Sequence, residues 1–572
     1  MSRSYRPSYK TSQPNPGGWI TLLIIIVIAC AACWPVTRGI INGVGNLAGG
    51  VFSSIDSATG GPPPTLTIAV SPEKAELFAQ LVNNFNARKL KASNGEEMRI
   101  ATQSLEPEDM IDAALAGNFQ AMSPDSSIWL DQLDRQYQAA QNTSAGLVGQ
   151  TVRYAVSPVV IAMWRDAAQR LGWPQKPIGW SDLLNEATSN KDFKWSHPAT
   201  SSASGLLATL AEFYAATGKT RGLTIDDVKS SKAQDYVNAL EKTVRYYGEG
   251  EASTARNVAE KGRAYLDAFV ASEQIVIDAN RKPNVDLVAI YPNEGSLWQD
   301  HPLALLEASG LSDLNRETFS AFANYITSPD AQQAILARGY RPADLNIKID
   351  GANSPITANN GVDPAKPQTS LQVPSAAVLD VVRDSWLANK RRTNVMLVVD
   401  TSGSMEGAKL ANVQTALTTF LDQIKSDEER VGLIEFSTEV NELARISELK
   451  NNRSALVRAV TNLNAGGNTA LLDAVAAAYQ RLQQLNDPSR INAIVVMTDG
   501  KENASTLSLQ QLVTRLQNGN QHGVPVVIFA IAYGSDADMK MLQAMSDATG
   551  GQTLAGSVEN IRKLYKILST YF

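Results

Sequence analysis

Apolar residues along this chain alternate between short unbroken runs and stretches in which they recur every third or fourth position. The C-terminal third shows this most plainly. Runs at 394–399, 431–436, 491–497 and 524–531 have strand length, and shorter segments at 440–446 and 551–554 read as an edge strand and a last strand. Between them, 410–424, 471–485 and 561–571 carry apolar residues at helical spacing. A run that is apolar at every position requires burial on both faces, the environment of a doubly wound parallel sheet covered by helices.

The preceding region begins abruptly at Thr65-Leu-Thr-Ile-Ala-Val70 and continues as a helix over 71–87, a strand over 98–102 and a helix over 107–116. Further strands are predicted at 151–156, 274–278 and 286–290, and a helix at 206–217. Alternation of strands and helices again indicates an α/β fold. Residues 346–374 show little periodicity. The helix predicted over 375–390 carries an apolar stripe of Val378, Val381, Val382, Trp386 and Leu387, so it should dock on a globular domain, with Trp386 packing between domains. The run Lys390-Arg-Arg392 and the pair Glu428/Glu429 read as solvated.

The N-terminal pattern is different. Residues 17–36 contain no charge, are rich in Ile, Leu, Val and Ala, and have Trp19 and Trp34 near their ends. At about 1.5 Å per residue they reach across a bilayer core as a helix. Arg3, Arg6 and Lys10 precede the span and Arg38 alone closely follows it, which leaves the N-terminus cytoplasmic and the bulk of the chain outside. Val27-Ile-Ala-Cys30 loosely resembles a lipoprotein box, and anchoring at Cys30 is the alternative. The expected organisation is a cytoplasmic segment 1–16, a transmembrane helix 17–36, a Gly/Pro-rich tether 37–64, a first globular domain 65–344, a linker and docking helix 345–392, and a second globular domain 393–572.

Composition narrows the function classes. The chain has 572 residues, too many for one core. Its net charge of −6 gives no reason to expect nucleic-acid binding. The two cysteines, Cys30 and Cys33, both lie in the apolar segment, so the remainder has no disulfide. Gly218-Lys219-Thr220 ends like a phosphate loop, but Phe213 occupies the first glycine position and a helix precedes it. His197, His301 and His522 are isolated, and the first two precede proline, as turn residues do.

The chemistry concentrates in three segments. Asp400-Thr-Ser402-Gly-Ser404 follows the strand at 394–399; Gly466-Gly467-Asn468-Thr469 precedes a helix; and Thr498-Asp499-Gly500 ends the strand at 491–497. Open α/β sheets place ligands at the C-terminal edge of their strands. Hydroxyls beside carboxylates suit a hard divalent cation, Mg²⁺ foremost and Mn²⁺ as the alternative. In this order the segments resemble the metal-ion-dependent adhesion site of von Willebrand factor A (VWA) domains. The resemblance implies a Rossmann-like fold, direct binding of the ion by Ser402 and Ser404, participation of Thr469 in the liganded state, and action of Asp400 and Asp499 partly through water. It also implies a protein partner that supplies an Asp or Glu carboxylate to the ion.

Residues 65–344 resemble bacterial extracellular solute-binding proteins. The similarity rests on the segment from Arg153 to Trp164, on His197-Pro-Ala-Thr200-Ser-Ser-Ala-Ser204-Gly205 entering a helix, on Tyr291-Pro-Asn-Glu-Gly-Ser296 followed by His301-Pro302, and on 321–340 with Ser328-Pro-Asp330. It implies two lobes closing over a solute, with a crossover between 153 and 164. Thr200, Ser201, Ser202 and Ser204 at a helix start, with Ser71, Ser126 and Ser127 near short strands, are the candidate ligands for a small anionic or polar solute.

These features together describe a membrane-anchored, extracytoplasmic, metal-dependent protein-binding protein rather than an enzyme. A solute receptor with an accessory VWA domain is one alternative. A metal-assisted enzyme or chelatase-type subunit is another, disfavoured because no general base accompanies the metal motif. Protease added to intact cells is expected to release a fragment beginning between Arg38 and Pro64. Protection until lysis would reverse the orientation.

Overall fold

The computed structural model describes residues 63–248, 250–424 and 426–557, with Ile561, Tyr565 and Leu568 of a C-terminal helix. The predicted membrane span 17–36 and the tether up to residue 62 lie outside the described residues. Among those described, no helix is long and apolar enough to cross a membrane.

The first α/β region is built on two sheets. One has five strands in the order Ile100–Ser104, Leu66–Val70, Ala121–Ser123, Pro302–Leu306, Val148–Arg153. Its first three strands run parallel, and Pro302–Leu306 is antiparallel to both neighbours. The other is organised around the long strand Ala155–Trp164, which pairs with Ala268–Ser272, Leu287–Ile290, Trp298–Gln299 and Arg341–Pro342. Tyr154 alone separates Val148–Arg153 in one lobe from Ala155–Trp164 in the other, so the chain crosses at the position the sequence indicates. It crosses again between Gln299 and Pro302, and before Arg341.

Two local expectations fail here. Gln274 to Asp278 is not a strand but part of the helix Glu273–Asn280, with Gln274, Ile275, Val276 and Ile277 all buried. An element buried on every side loses the periodicity that separates helix from strand. The segment expected at 151–156 is divided between two strands of different sheets.

The C-terminal region is one six-stranded sheet in the order Val440–Glu448, Arg430–Phe436, Thr393–Asp400, Ile491–Thr498, Val526–Tyr533, Gln552–Gly556. All neighbours are parallel except the edge strand Val440–Glu448. Thr393–Asp400, Ile491–Thr498 and Val526–Tyr533 are buried throughout, as continuous apolar strands require. Helices Ala408–Gln423 and Leu449–Thr461 cover one face, and Leu471–Leu485 and Leu509–His522 the other.

The helix Ala376–Asn389 docks as its stripe predicts. Val378, Leu379, Val382 and Trp386 are buried in an apolar cluster that also contains Leu206 and Tyr247 of the first region and Val395 and Phe420 of the second. Trp386 meets Tyr247 edge-on, with ring centroids 5.3 Å apart. Truncating a tryptophan buried in this way costs about 3–5 kcal/mol. The basic run that follows is not solvated. Lys390 is buried and pairs with Glu429 at 3.0 Å, and Arg391 donates to the carbonyl of Val244 at 2.9 Å. Glu429 is buried too and accepts from both the backbone N–H and the hydroxyl of Thr393. These charges seal the joint between the two regions instead of facing water.

Candidate functional site

Three loops meet at the C-terminal edge of the second sheet. Asp400 closes the strand Thr393–Asp400 and is fully buried. Its Oδ1 accepts from the Ser402 backbone N–H at 2.7 Å, and its Oδ2 accepts from the Thr498 hydroxyl. Burial raises the Asp400 carboxyl above its ordinary range, a tendency Asp499 reinforces and the bonds from Ser402 and Thr498 oppose.

The hydroxyls form a chain. Ser404 Oγ donates to Asp499 Oδ1 at 2.6 Å, so its only hydrogen is committed there. Ser402 Oγ lies 3.0 Å from Ser404 Oγ and is therefore the donor of that pair. Asp499 is itself buried, and its second oxygen is paired with Lys409 Nζ from the start of the helix Ala408–Gln423.

Thr469 arrives on the glycine loop. Gly403 N–H donates to the Gly467 carbonyl at 3.1 Å and Gly466 N–H to the Thr401 carbonyl at 2.8 Å, which stitch this loop to the first. Gly467 has φ +82°, and a Cβ there would meet Thr438 Oγ1 at 2.7 Å. The Thr469 backbone is clamped by Asn503, whose side-chain oxygen accepts from Thr469 N–H at 2.8 Å. A Cβ on Gly500 would lie 3.3 Å from Thr469 Oγ1 and 3.5 Å from Ser404 Oγ. Both hydroxyls thus face the same small space, which glycine leaves open.

The residues fit a divalent cation. Asp400, Ser402, Ser404, Thr469 and Asp499 supply oxygen donors alone, the preference of Mg²⁺ and Mn²⁺. Sequence reasoning missed Lys409, Thr498 and Asn503. Thr498 stands beside Asp499 in the quoted motif and was legible there. Lys409 and Asn503 carry no sequence signal, because their roles depend on how the loops fold against each other.

The other candidate residues lie at the junction of the two lobes. Ser71, Ser126, Thr200, Ser202 and Ser204 are buried, while Ser127 and Ser201 are half-buried. Ser202 is the N-cap of the helix Ala203–Thr217: its hydroxyl accepts from Gly205 N–H and donates to the Ala199 carbonyl, both at 3.1 Å. Ser71 and Ser127 occupy N-cap positions without a side-chain capping bond. Ala203 packs with Ala69, Met110 and Trp129 of the first lobe, so this helix start abuts the opposite lobe.

Charged groups missed from sequence share the junction. Lys74, entirely buried, donates to the Pro124 carbonyl at 2.6 Å and lies 3.6 Å from Asp125, which lies 3.7 Å from His301. Burial pushes the Lys74 ammonium down to about 8 against the pull of Asp125. Glu251 accepts from the N–H and hydroxyl of Ser272, each at 2.8 Å, and burial pushes its carboxyl up to about 7, with Asp125 adding to the shift. The side-chain oxygens of Gln274 and Gln299 are buried without a hydrogen-bond partner among the described residues. His197 and His301 are both buried.

Comparison with known proteins agrees with this division. The family model described as von Willebrand factor type A domain matches residues 394–569, and that described as bacterial extracellular solute-binding protein matches residues 66–341. Curated relatives include inter-alpha-trypsin inhibitor heavy chain H2 of Homo sapiens, 26% identical over 191 residues that cover 31% of this chain and 20% of that protein. Calcium-activated chloride channel regulator 1 of Bos taurus is 28% identical over 194 residues, covering 32% and 19%. The chain thus spans about a fifth of the length of these relatives. Among solved structures, the von Willebrand factor type A protein from Catenulispora acidiphila has a TM-score of 0.29 at 21% identity, covering 32% of this chain and 43% of that one. The sulfate-binding protein SubI from Mycobacterium tuberculosis H37Rv has a TM-score of 0.36 at 17% identity, covering 50% and 88%. The chain carries a solute-binding domain followed by a VWA domain.

Proposed function

We propose that this protein is a membrane-anchored, extracytoplasmic interaction protein whose VWA domain captures a partner carboxylate through a divalent cation. The observation that carries the reading is the convergence of Ser402, Ser404, Thr469, Asp400 and Asp499 from three loops on one sheet edge. Ser402, Ser404 and Thr469 would hold the ion, with Asp400 and Asp499 fixing the serines. Once bound, the ion supplies an electrophilic position for an Asp or Glu side chain of a protein partner. Lys409 balances Asp499, which keeps negative charge at the edge low and leaves that position attractive to an anion. The N-terminal ends of the strands face Arg245 of the solute-binding domain, so the metal edge points away from it. The reading is of ligation rather than catalysis: both matched families are binding types.

The solute-binding domain would hold a small polar or anionic molecule between its lobes. The unsatisfied oxygens of Gln274 and of Gln299, the latter beside Glu251, and the buried Lys74 favour a solute with hydrogen-bond donors as well as a negative group.

Titration calorimetry of Mg²⁺ and Mn²⁺ into the full chain is expected to show a site that Ser402→Ala with Ser404→Ala removes. Unchanged binding in the double variant would place the site elsewhere. For the solute, a thermal-shift screen of oxyanions, carboxylates and sugars is expected to yield a stabilising class. A ligand at a hundredfold excess over Kd adds about 2.7 kcal/mol. Ser201→Ala with Ser204→Ala, which spares the cap at Ser202, should diminish the shift. The absence of any stabilising class would leave this domain as a scaffold for the VWA domain.

A further inference from the structure

A further cluster of ligating groups, none of them among the candidate residues above, lies inside the solute-binding domain beside the helix Ala203–Thr217. His197 follows the short strand Trp195–Ser196, Glu212 projects from the helix Ala203–Thr217, and Glu241 ends the helix Ser231–Glu241. All three side chains are fully buried. One ligand atom from each lies within 4.8 Å of the others.

The surroundings orient each donor inward. His197 Nδ1 is 2.8 Å from the Pro198 carbonyl, which can only accept, so Nδ1 carries a hydrogen and Nε2 is the ring atom turned to the rest of the cluster. Nε2 faces carboxylates: both oxygens of Glu241 at 3.3 Å and Glu212 Oε1 at 4.0 Å. An imidazole nitrogen and two carboxyl groups this close need a shared cation between them, a metal ion or a proton. Tyr247 donates to Glu241 Oε2 at 2.6 Å, which leaves Oε1 without a hydrogen-bond partner. Neither oxygen of Glu212 has one. Lys390 lies 6.0 Å from the Tyr247 ring but is committed to Glu429. Burying two carboxylates beside a single imidazole carries a large desolvation penalty that a cation between them would remove.

We infer that His197 Nε2, Glu212 and Glu241 form a buried structural site for a divalent transition-metal ion of the zinc class. A histidine nitrogen with two carboxylates suits Zn²⁺ rather than Mg²⁺ or Ca²⁺. Bonds of about 2.0–2.2 Å place neighbouring ligand atoms in a tetrahedral shell roughly 3.4 Å apart. The 3.3 Å distance from Nε2 already matches that spacing, and the 4.0 Å distance needs only a small contraction to reach it. The Pro198 carbonyl on Nδ1 and the Tyr247 hydroxyl on Glu241 have the positions that outer partners of metal ligands take. Tyr247 also accepts from Arg391 N–H at 2.9 Å, at the entry to the first VWA strand. The ion would therefore brace the joint that carries the VWA domain. This site is independent of the cation proposed at Asp400.

The test uses the full chain carrying Ser402→Ala and Ser404→Ala, so that the VWA edge adds nothing to the count. Loaded with Zn²⁺ and dialysed, this protein is expected to retain one equivalent by elemental analysis, and a strong chelator should lower its Tm. Adding Glu212→Gln, close in size, should remove the retained ion and the chelator effect while the far-UV circular dichroism stays unchanged. Tyr247→Phe should weaken Zn²⁺ binding by about 10- to 100-fold. Co²⁺ in place of Zn²⁺ should give a ligand-field spectrum that Glu212→Gln abolishes. Should Glu212→Gln not fold, Zn²⁺ retention, the chelator response and the Co²⁺ spectrum of the parent protein still decide the matter. Absence of retained Zn²⁺ and of a chelator effect in the parent would overturn the proposal, and Glu212→Gln that is then at least as stable as the parent would assign the cluster to a proton shared by two carboxyls. Retention undiminished in Glu212→Gln would overturn it as well.

Discussion

The structure depends on one shared apolar joint. The helix Ala376–Asn389 buries Val378, Leu379, Val382 and Trp386 in a cluster to which both the solute-binding and the VWA domains contribute. Its exposed flank pairs Asp380 with Arg135 at 2.6 Å, and Arg383 lies over Trp129 at 5.0 Å, both on the first lobe. On the second lobe, Gln234 bonds Asn389 at 2.7 Å and Ser385 at 3.1 Å. One helix therefore touches both lobes and leads directly into the first VWA strand. Any hinge motion that opened the lobes would have to be accommodated here.

That joint also decides where the C-terminal edge of the VWA sheet can point. Lys390, Arg391 and Glu429 fix the N-terminal end of the strand Thr393–Asp400 against the solute-binding domain. A parallel sheet brings its loops together at the opposite end, where Asp400, Thr469 and Asp499 meet. The site residues are held by the backbone, through Asn503, Gly403 and Gly467, rather than by one another alone. Such anchoring would leave little reorganisation to be made by the proposed ion and partner carboxylate.

The sequence was most legible where pattern and chemistry coincide. The VWA strands are continuous apolar runs that end on the motif residues, and the strands expected at 394–399 and 491–497 are observed as Thr393–Asp400 and Ile491–Thr498. The stripe around Trp386 announced its own burial. Legibility failed where tertiary context overrides local character. Ile275, Val276 and Ile277 favour a strand by type, yet form a helix whose buried side chains erase the period. Lys390, Arg391 and Glu429 read as solvated because their compensation comes from partners distant in sequence, such as Val244 for Arg391. Likewise His197 is isolated along the chain, while Glu212 and Glu241 reach it only through the packing of two helices.

The most direct test of the central claim is anomalous diffraction at the manganese edge from crystals of the full chain grown with Mn²⁺. The account predicts a peak about 2.1 Å from the hydroxyl oxygens of Ser402 and Ser404, on the side facing Thr469. Its outer coordination position should be open to a carboxylate from a neighbouring molecule or from added acetate. A map at saturating Mn²⁺ with no peak between these loops, and with Lys409 still pairing Asp499 above ordered water, would contradict it.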